Sequence, residues 1–125
     1  MTLTVYTYGK TFKNSNCISS YDNQSFKYSL IDIPNLTNIE AEYCAVVYAL
    51  QRSRCDKDIL ILSSSELVIS ELKGEIPLNS DISRYYRGVI NEFIILNDYT
   101  VKYAHIRKKD NIARELLNAV LSHLK

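Results

Sequence analysis

The stretch Asn38–Leu50, NIEAEYCAVVYAL, decides the fold of this chain. Its apolar residues occur nearly all the way round a helical wheel, which predicts a helix covered by other elements. Thr37 and Glu40 have the spacing of a capping box, so they mark where this helix begins. Glu42 then remains as a carboxylate inside an apolar helix, and burying an unpaired carboxylate is costly. Glu42 is therefore the first candidate functional residue.

The composition is typical of a globular protein, with 125 residues, 46% hydrophobic and 23% charged. We expect a single domain over residues 1–125 with a sizeable core. The net charge of +1 means that any nucleic-acid surface has to be a local basic patch. Cys17, Cys44 and Cys55 lack metal-ligand spacing, so reduced thiols and a cytoplasmic location are expected. The sequence shows neither the pattern of a signal peptide nor an apolar run of ~18 residues, so we expect no membrane association.

The elements around this helix are predicted in the order β β β α β α α β α. Alternating polar and apolar residues predict three antiparallel strands, over residues 3–8, 17–21 and 25–32, with a turn at Gly9. Two later strands are predicted over residues 59–62 and 101–106, the first of them parallel to the opening strand. Ser63 and Glu66 have the spacing of a second capping box. Helices are predicted over residues 66–72 and 82–94 and from Asp110 or Asn111 to Leu124.

Four segments resemble the ribonuclease H type 1 family. Thr37–Tyr43 resembles its T-N-x-x-A-E-[YL] helix start, and Ser64–Glu75 resembles its D-S-x-L-V-V…L-x-G-E segment. His105–Glu115 is similar to its H-V-x-R-x-x-N-x-x-A-D ending, and Tyr6–Gly9 to its opening [YF]-T-D-G. The resemblance implies a ribonuclease H-like α/β fold over the whole chain: a mixed sheet of three antiparallel and two parallel strands, flanked by helices.

The catalytic residues of that family are only partly kept. The resemblance implies four carboxylates around two Mg²⁺ ions ~3.5–4 Å apart, because hard cations so close together need several anionic oxygens. The corresponding positions are Tyr8, Glu42, Ser64 and Glu115, of which only Glu42 and Glu115 are acidic. These two are the remnant catalytic residues and the candidate metal ligands, and His105 resembles the family's loop histidine. The resemblance thus implies a pseudo-nuclease with no expected cofactor.

Alternatives for these positions stay open. Glu42 is either a metal ligand or a buried acid held by the hydroxyls of Tyr8 and Ser64. An active hybrid-cleaving ribonuclease would need a rearranged site with Mg²⁺ or Mn²⁺, using Glu42, Glu115 and Glu66. Tyr8 and Ser64 as an acid–base or nucleophile pair is a further alternative, although no histidine is predicted beside Ser64. His105 has a packing role at a strand end as its alternative.

A local cluster of basic and polar residues follows the last strand and flanks the first. A basic cluster of this kind either contacts phosphate groups or is exposed to solvent without a ligand. The candidate nucleic-acid-binding residues are Lys10, Asn38, Arg107, Lys108, Lys109 and Asn111, with Lys13 beside Lys10. The predicted function is binding of an RNA–DNA hybrid or an RNA duplex. The alternative is a protein-interaction module whose tyrosine-bearing surface contacts a protein partner.

Overall fold

The computed structural model describes residues 2–12, 15–22, 25–31, 36–53 and 57–123. Lys13, Cys55 and Leu124, named in the sequence predictions, lie outside these ranges. The elements follow the predicted order, with a short 3-10 helix before the last α-helix. The bounds are β1 Thr2–Phe12, β2 Ser15–Tyr21, β3 Phe26–Ile31, α1 Asn38–Arg52, β4 Asp58–Ser63, α2 Glu66–Lys73, α3 Asp81–Asn97, β5 Thr100–His105, the 3-10 helix Lys108–Asp110, and α4 Ile112–Ser122.

The sheet has the strand order β3-β2-β1-β4-β5. β1, β2 and β3 pair in antiparallel fashion, whereas β4 pairs in parallel with β1 and β5 in parallel with β4. The parallel pairs follow from the helical crossovers, which return the chain to the same edge before each new strand. The predicted mixed sheet is therefore confirmed, with β1 at its centre.

The helix α1 lies on one face of this sheet and begins at the predicted capping box of Thr37 and Glu40. Its residues Tyr43, Val46 and Leu50 are fully buried in the main apolar cluster. The opposite side of α1 is only half-buried, so the helix is covered less completely than its all-round apolar pattern predicted. None of the helices in the described part of the chain has the length and apolarity that crossing a membrane requires.

Gly9 lies within β1 and not at a turn, so that prediction was wrong. A Cβ atom built on Gly9 would lie 2.2 Å from the Ala41 carbonyl oxygen of α1. A side chain cannot fit in that gap, which means that the backbones of β1 and α1 touch at this point. This close approach brings the first turns of α1, including Glu42, against the middle of β1.

The helix α4 packs on the other face of the sheet. Successive side chains of a strand point to opposite faces of the sheet. Tyr8, the neighbour of Gly9, therefore points away from α1 and packs against a cluster of Cys17, Leu117 and Leu121. Ser19 of β2 donates its hydroxyl to the Ala113 carbonyl of α4 at 3.1 Å, between the Oγ and O atoms.

The start of α2 differs from the prediction. Ser65 is the N-cap, and its hydroxyl oxygen accepts from the Val68 N–H. Ser63 is buried, and its Oγ accepts from the Ser65 N–H at 3.1 Å. The predicted capping box of Ser63 and Glu66 was therefore wrong, because β4 continues one residue beyond the predicted strand, to Ser63, and the cap falls on Ser65.

Candidate nucleic-acid site

A cleft of about 360 Å³ opens between β1, the start of α1, the connection from β4 to α2, and the 3-10 helix. It brings together six of the residues that the sequence singled out. The lining residues are Tyr8, Gly9, Lys10, Thr11, Asn38, Ile39, Glu42, Ser64, Ser65 and Lys108. Their mutual position depends on the contact between β1 and α1 and on the parallel pairing of β1 with β4, which brings the β4–α2 connection beside β1.

Within the part of the chain that the structure describes, Glu42 is the single carboxylate that lines this cleft. Its side chain is 8% exposed, and its Oε1 accepts from the Gly9 N–H at 2.6 Å, measured between N and O. Burial raises the pKa of Glu42 from 4.5 to about 7, while the Gly9 N–H and the nearby Lys108 ammonium act in the opposite direction. Glu42 therefore lies near the midpoint of its titration at neutral pH.

Tyr8 does not hold Glu42 through its hydroxyl, as one alternative proposed. Its phenol hydroxyl lies close to the Arg114 side chain of α4. Burial raises the pKa of Tyr8 above 10, Glu42 raises it further, and Arg114 opposes both. The ring occupies the β1 position where the resemblance implied an aspartate and leaves no carboxylate on that strand beside Glu42.

Ser64 is held from α4 and not by Glu42. Its Oγ accepts from the Asn111 Nδ2 at 3.3 Å. Asn111 is fully buried, and its Nδ2 also donates to the Thr7 carbonyl at 2.9 Å. Its Oδ1 accepts from the Arg114 N–H, which makes Asn111 the N-cap of α4. Asn111 therefore joins β1, α4 and Ser64 through its amide group, and its contact with nucleic acid stays a prediction.

Two further predicted site residues lie outside the lining of the cleft. Glu115 is exposed in the first turn of α4, and His105 is exposed at the end of β5, where it pairs with Ser63. Glu66, the substitute ligand of one alternative, is also exposed and outside the lining.

The donor atoms of the cleft do not fit a pair of divalent cations. Two such ions need several anionic oxygens around them. Among the described residues, the lining contains one carboxylate, Glu42, and two lysines, Lys10 and Lys108. Among the residues that the structure describes, no three His, Cys, Asp or Glu side chains lie where they could hold a metal ion.

The predicted basic residues divide into two groups. Lys10 and Lys108 line the cleft, and Lys10 Nζ donates to the Asn118 Oδ1 at 3.2 Å. Arg107 and Lys109 are exposed beside it, and Arg107 forms an ion pair with Asp110 at 2.9 Å between Nε and Oδ2.

Asn38 joins the start of α1 to the far half of β1. Its Oδ1 accepts from both the N–H and the hydroxyl of Thr11, each at 3.0 Å. Sequence reasoning missed Thr11, Ser65 and Arg114 as parts of this region. The polar Ser65 before an apolar helical run was a usable N-cap signal, whereas the role of Arg114 depends on how α4 packs against β1.

Comparison with known proteins gives a structural likeness and no sequence match. No protein-family profile and no curated protein matches the chain. RNase H1 from the halophilic archaeon Halobacterium salinarum is similar with a TM-score of 0.82 and 22% identity, covering 98% of this chain and 99% of that one. LC11-RNase H1, isolated from compost, has a TM-score of 0.83 and 19% identity in its complex with an RNA/DNA hybrid, with the same coverage.

An N-terminal RNase H domain from Mycobacterium tuberculosis has a TM-score of 0.73 and 13% identity, covering 99% of each chain. These likenesses extend over essentially the whole described fold. The chain therefore has the ribonuclease H fold.

Proposed function

We propose that this chain is one domain, a catalytically degenerate ribonuclease H-like protein that binds an RNA–DNA hybrid or an RNA duplex. The observation that carries the proposal is the content of its cleft, where two lysines and one buried carboxylate stand in place of the acidic cluster of a two-metal nuclease. Positive groups in the cleft suit a polyphosphate ligand and do not suit two divalent cations.

The surface beside the cleft supports the same ligand. Arg107, Lys108 and Lys109 follow one another on the rim, and all three are exposed. The ion pair between Arg107 and Asp110 is exposed as well, and exposed pairs contribute little free energy. Arg107 can therefore exchange Asp110 for a phosphate group. The complex of LC11-RNase H1 with an RNA/DNA hybrid supports this ligand class for the fold.

The proposed loss of catalysis rests on the positions where the resemblance implies acidic residues. Tyr8 and Ser64 are neutral, and Glu115 does not line the cleft with Glu42. An intracellular location belongs to the same proposal, which the free thiols of Cys17 and Cys44 support.

A cleavage and binding experiment tests both halves of the proposal. Fluorescence anisotropy with a labelled RNA–DNA hybrid should give saturable binding that weakens in a variant with Arg107, Lys108 and Lys109 replaced by alanine. Incubation of the same hybrid with Mg²⁺ or Mn²⁺ should give no turnover. Cleavage that disappears in Glu42→Ala would refute the degenerate assignment in favour of a rearranged metal site.

A protein partner is the second candidate function, supported by a different surface. Tyr85, Ile95 and Leu96 of α3 are 65%, 77% and 76% exposed. Apolar and aromatic groups so exposed are typical of contact surfaces between proteins. Absence of hybrid binding would favour this candidate over the first.

A further inference from the structure

We infer that the cleft binds a phosphate group of the nucleic acid directly, through the ammonium groups of Lys10 and Lys108, without a divalent metal ion. The inference rests on the proposed function and specifies how its ligand is held. Lys10 lines the cleft from β1 and Lys108 from the 3-10 helix, so two lysines of separate elements border one volume.

Lys10 is held in place and still has donors to spare. Its Nζ uses one N–H for Asn118 Oδ1 at 3.2 Å, and an ammonium group has three. The contact with α4 restrains a long side chain before any ligand arrives, which reduces the entropy lost on binding. Lys108 lies close enough to Glu42 to lower its pKa, so its charge acts inside the cleft and not only at the rim.

The two serine hydroxyls of the cleft are also left as donors. Ser64 Oγ accepts from Asn111 Nδ2, and Ser65 Oγ accepts from the Val68 N–H. Since each oxygen already accepts a hydrogen bond from the protein, each O–H hydrogen remains available for a ligand that accepts.

Asn38 follows the same pattern. Its Oδ1 accepts twice from Thr11, which turns the two N–H groups of its amide towards other partners. Among the described residues, the polar side chains that line the cleft thus offer mainly donors, with Glu42 as the carboxylate acceptor. A metal site needs the reverse, a set of oxygen acceptors.

Glu42 does not oppose an anion strongly. Its Oε1 is already occupied by the Gly9 N–H, and burial raises its pKa to about 7. Two lysines and one carboxylate give the cleft a net positive charge, which favours binding of one phosphodiester anion. Added Mg²⁺ should compete for that phosphate and weaken the complex.

The test is fluorescence anisotropy with a labelled RNA–DNA hybrid, first in EDTA and then in millimolar Mg²⁺. The unmodified protein should bind in EDTA at least as tightly as in Mg²⁺. Lys10→Ala and Lys108→Ala should each weaken binding about tenfold, as expected for a lost charged hydrogen bond. Each should also reduce the magnitude of the negative slope of log K against log salt concentration by about 0.9.

Lys102→Ala is the matched control, because Lys102 is exposed on β5 and lines a depression at the start of β1 and β4. Lys10→Gln and Lys108→Gln keep most of each stem and guard against an effect on folding. Binding that requires Mg²⁺ would overturn the inference. If the Lys10 and Lys108 variants bind the hybrid as tightly as Lys102→Ala does, the inference is also overturned, while the proposed function stands. No hybrid binding under any condition would overturn the proposed function itself.

Discussion

Replacing Glu42 by glutamine is expected to stabilise the protein above pH 7. The carboxylate is 8% exposed, and burial disfavours its charged form more than the Gly9 N–H and Lys108 favour it. Glutamine keeps an oxygen of similar position for the Gly9 N–H and cannot become charged. The substitution therefore isolates the cost of the buried charge.

The sign and size follow from the pKa. In the folded state the pKa of Glu42 is about 7, above its unfolded value of 4.5, so the folded protein binds more protons between these pH values. The free energy of unfolding contributed by Glu42 is fully present below pH 4.5. It is lost as the pH rises to about 7, and the total loss is about 3 kcal/mol.

The assay is urea denaturation of the wild type and Glu42→Gln at pH 5 and pH 8. The stability of the variant relative to the wild type should rise by about 2–3 kcal/mol between the two pH values. Glu92→Gln, an exposed position on α3, serves as the matched control for removing a carboxylate. A relative stability that stays constant with pH, or a variant clearly less stable than the wild type at pH 8, would refute desolvation as the dominant effect.

Three further substitutions test buried contacts of the fold, each by urea denaturation. Gly9→Ala should cost about 3 kcal/mol, because its Cβ would meet the α1 backbone; an unchanged midpoint would show that the two backbones do not touch there. Asn111→Ala should cost about 2–3 kcal/mol through the lost cap and the unpaired Thr7 carbonyl. Asn111→Ser should recover only the cap, and full recovery would contradict a role for the Thr7 contact. Tyr43→Phe should cost about 1 kcal/mol, because Glu71 then loses one of its two hydroxyl donors; a stabilised variant would count against that hydrogen bond.

The predictions that succeeded rest on short-range patterns. The capping box of Thr37 and Glu40 and the all-round apolar run after it place α1 without any knowledge of the rest. The parallel pairing of β4 with β1 agrees with the helical crossover α1 that leads into β4. Tyr8 and Ser64 stand where the resemblance implies acidic residues, and the proposed loss of metal binding rests on that resemblance.

What the sequence did not predict is where particular polar atoms find partners. Glu42 bonds to Gly9, 33 residues away, and Asn111 bonds to Thr7, 104 residues away. Such pairs depend on the distance between β1 and α1 and on how α4 packs across the sheet, which no local pattern contains. Gly9 shows the same limit, because a glycine that permits a turn and a glycine that permits close packing look alike in sequence.

The amino-acid sequence alone therefore determined the element order, the sheet, and the charges available at the predicted site. Local propensity and hydrophobic periodicity are properties of neighbouring residues, so they can be read without the fold. Only the tertiary structure decided that Lys10 and Lys108 share one cleft and that Asn111 is buried. It also decided that Ser64, Ser65 and Asn38 accept hydrogen bonds from the protein, because hydrogen-bond partners depend on packing across the whole chain.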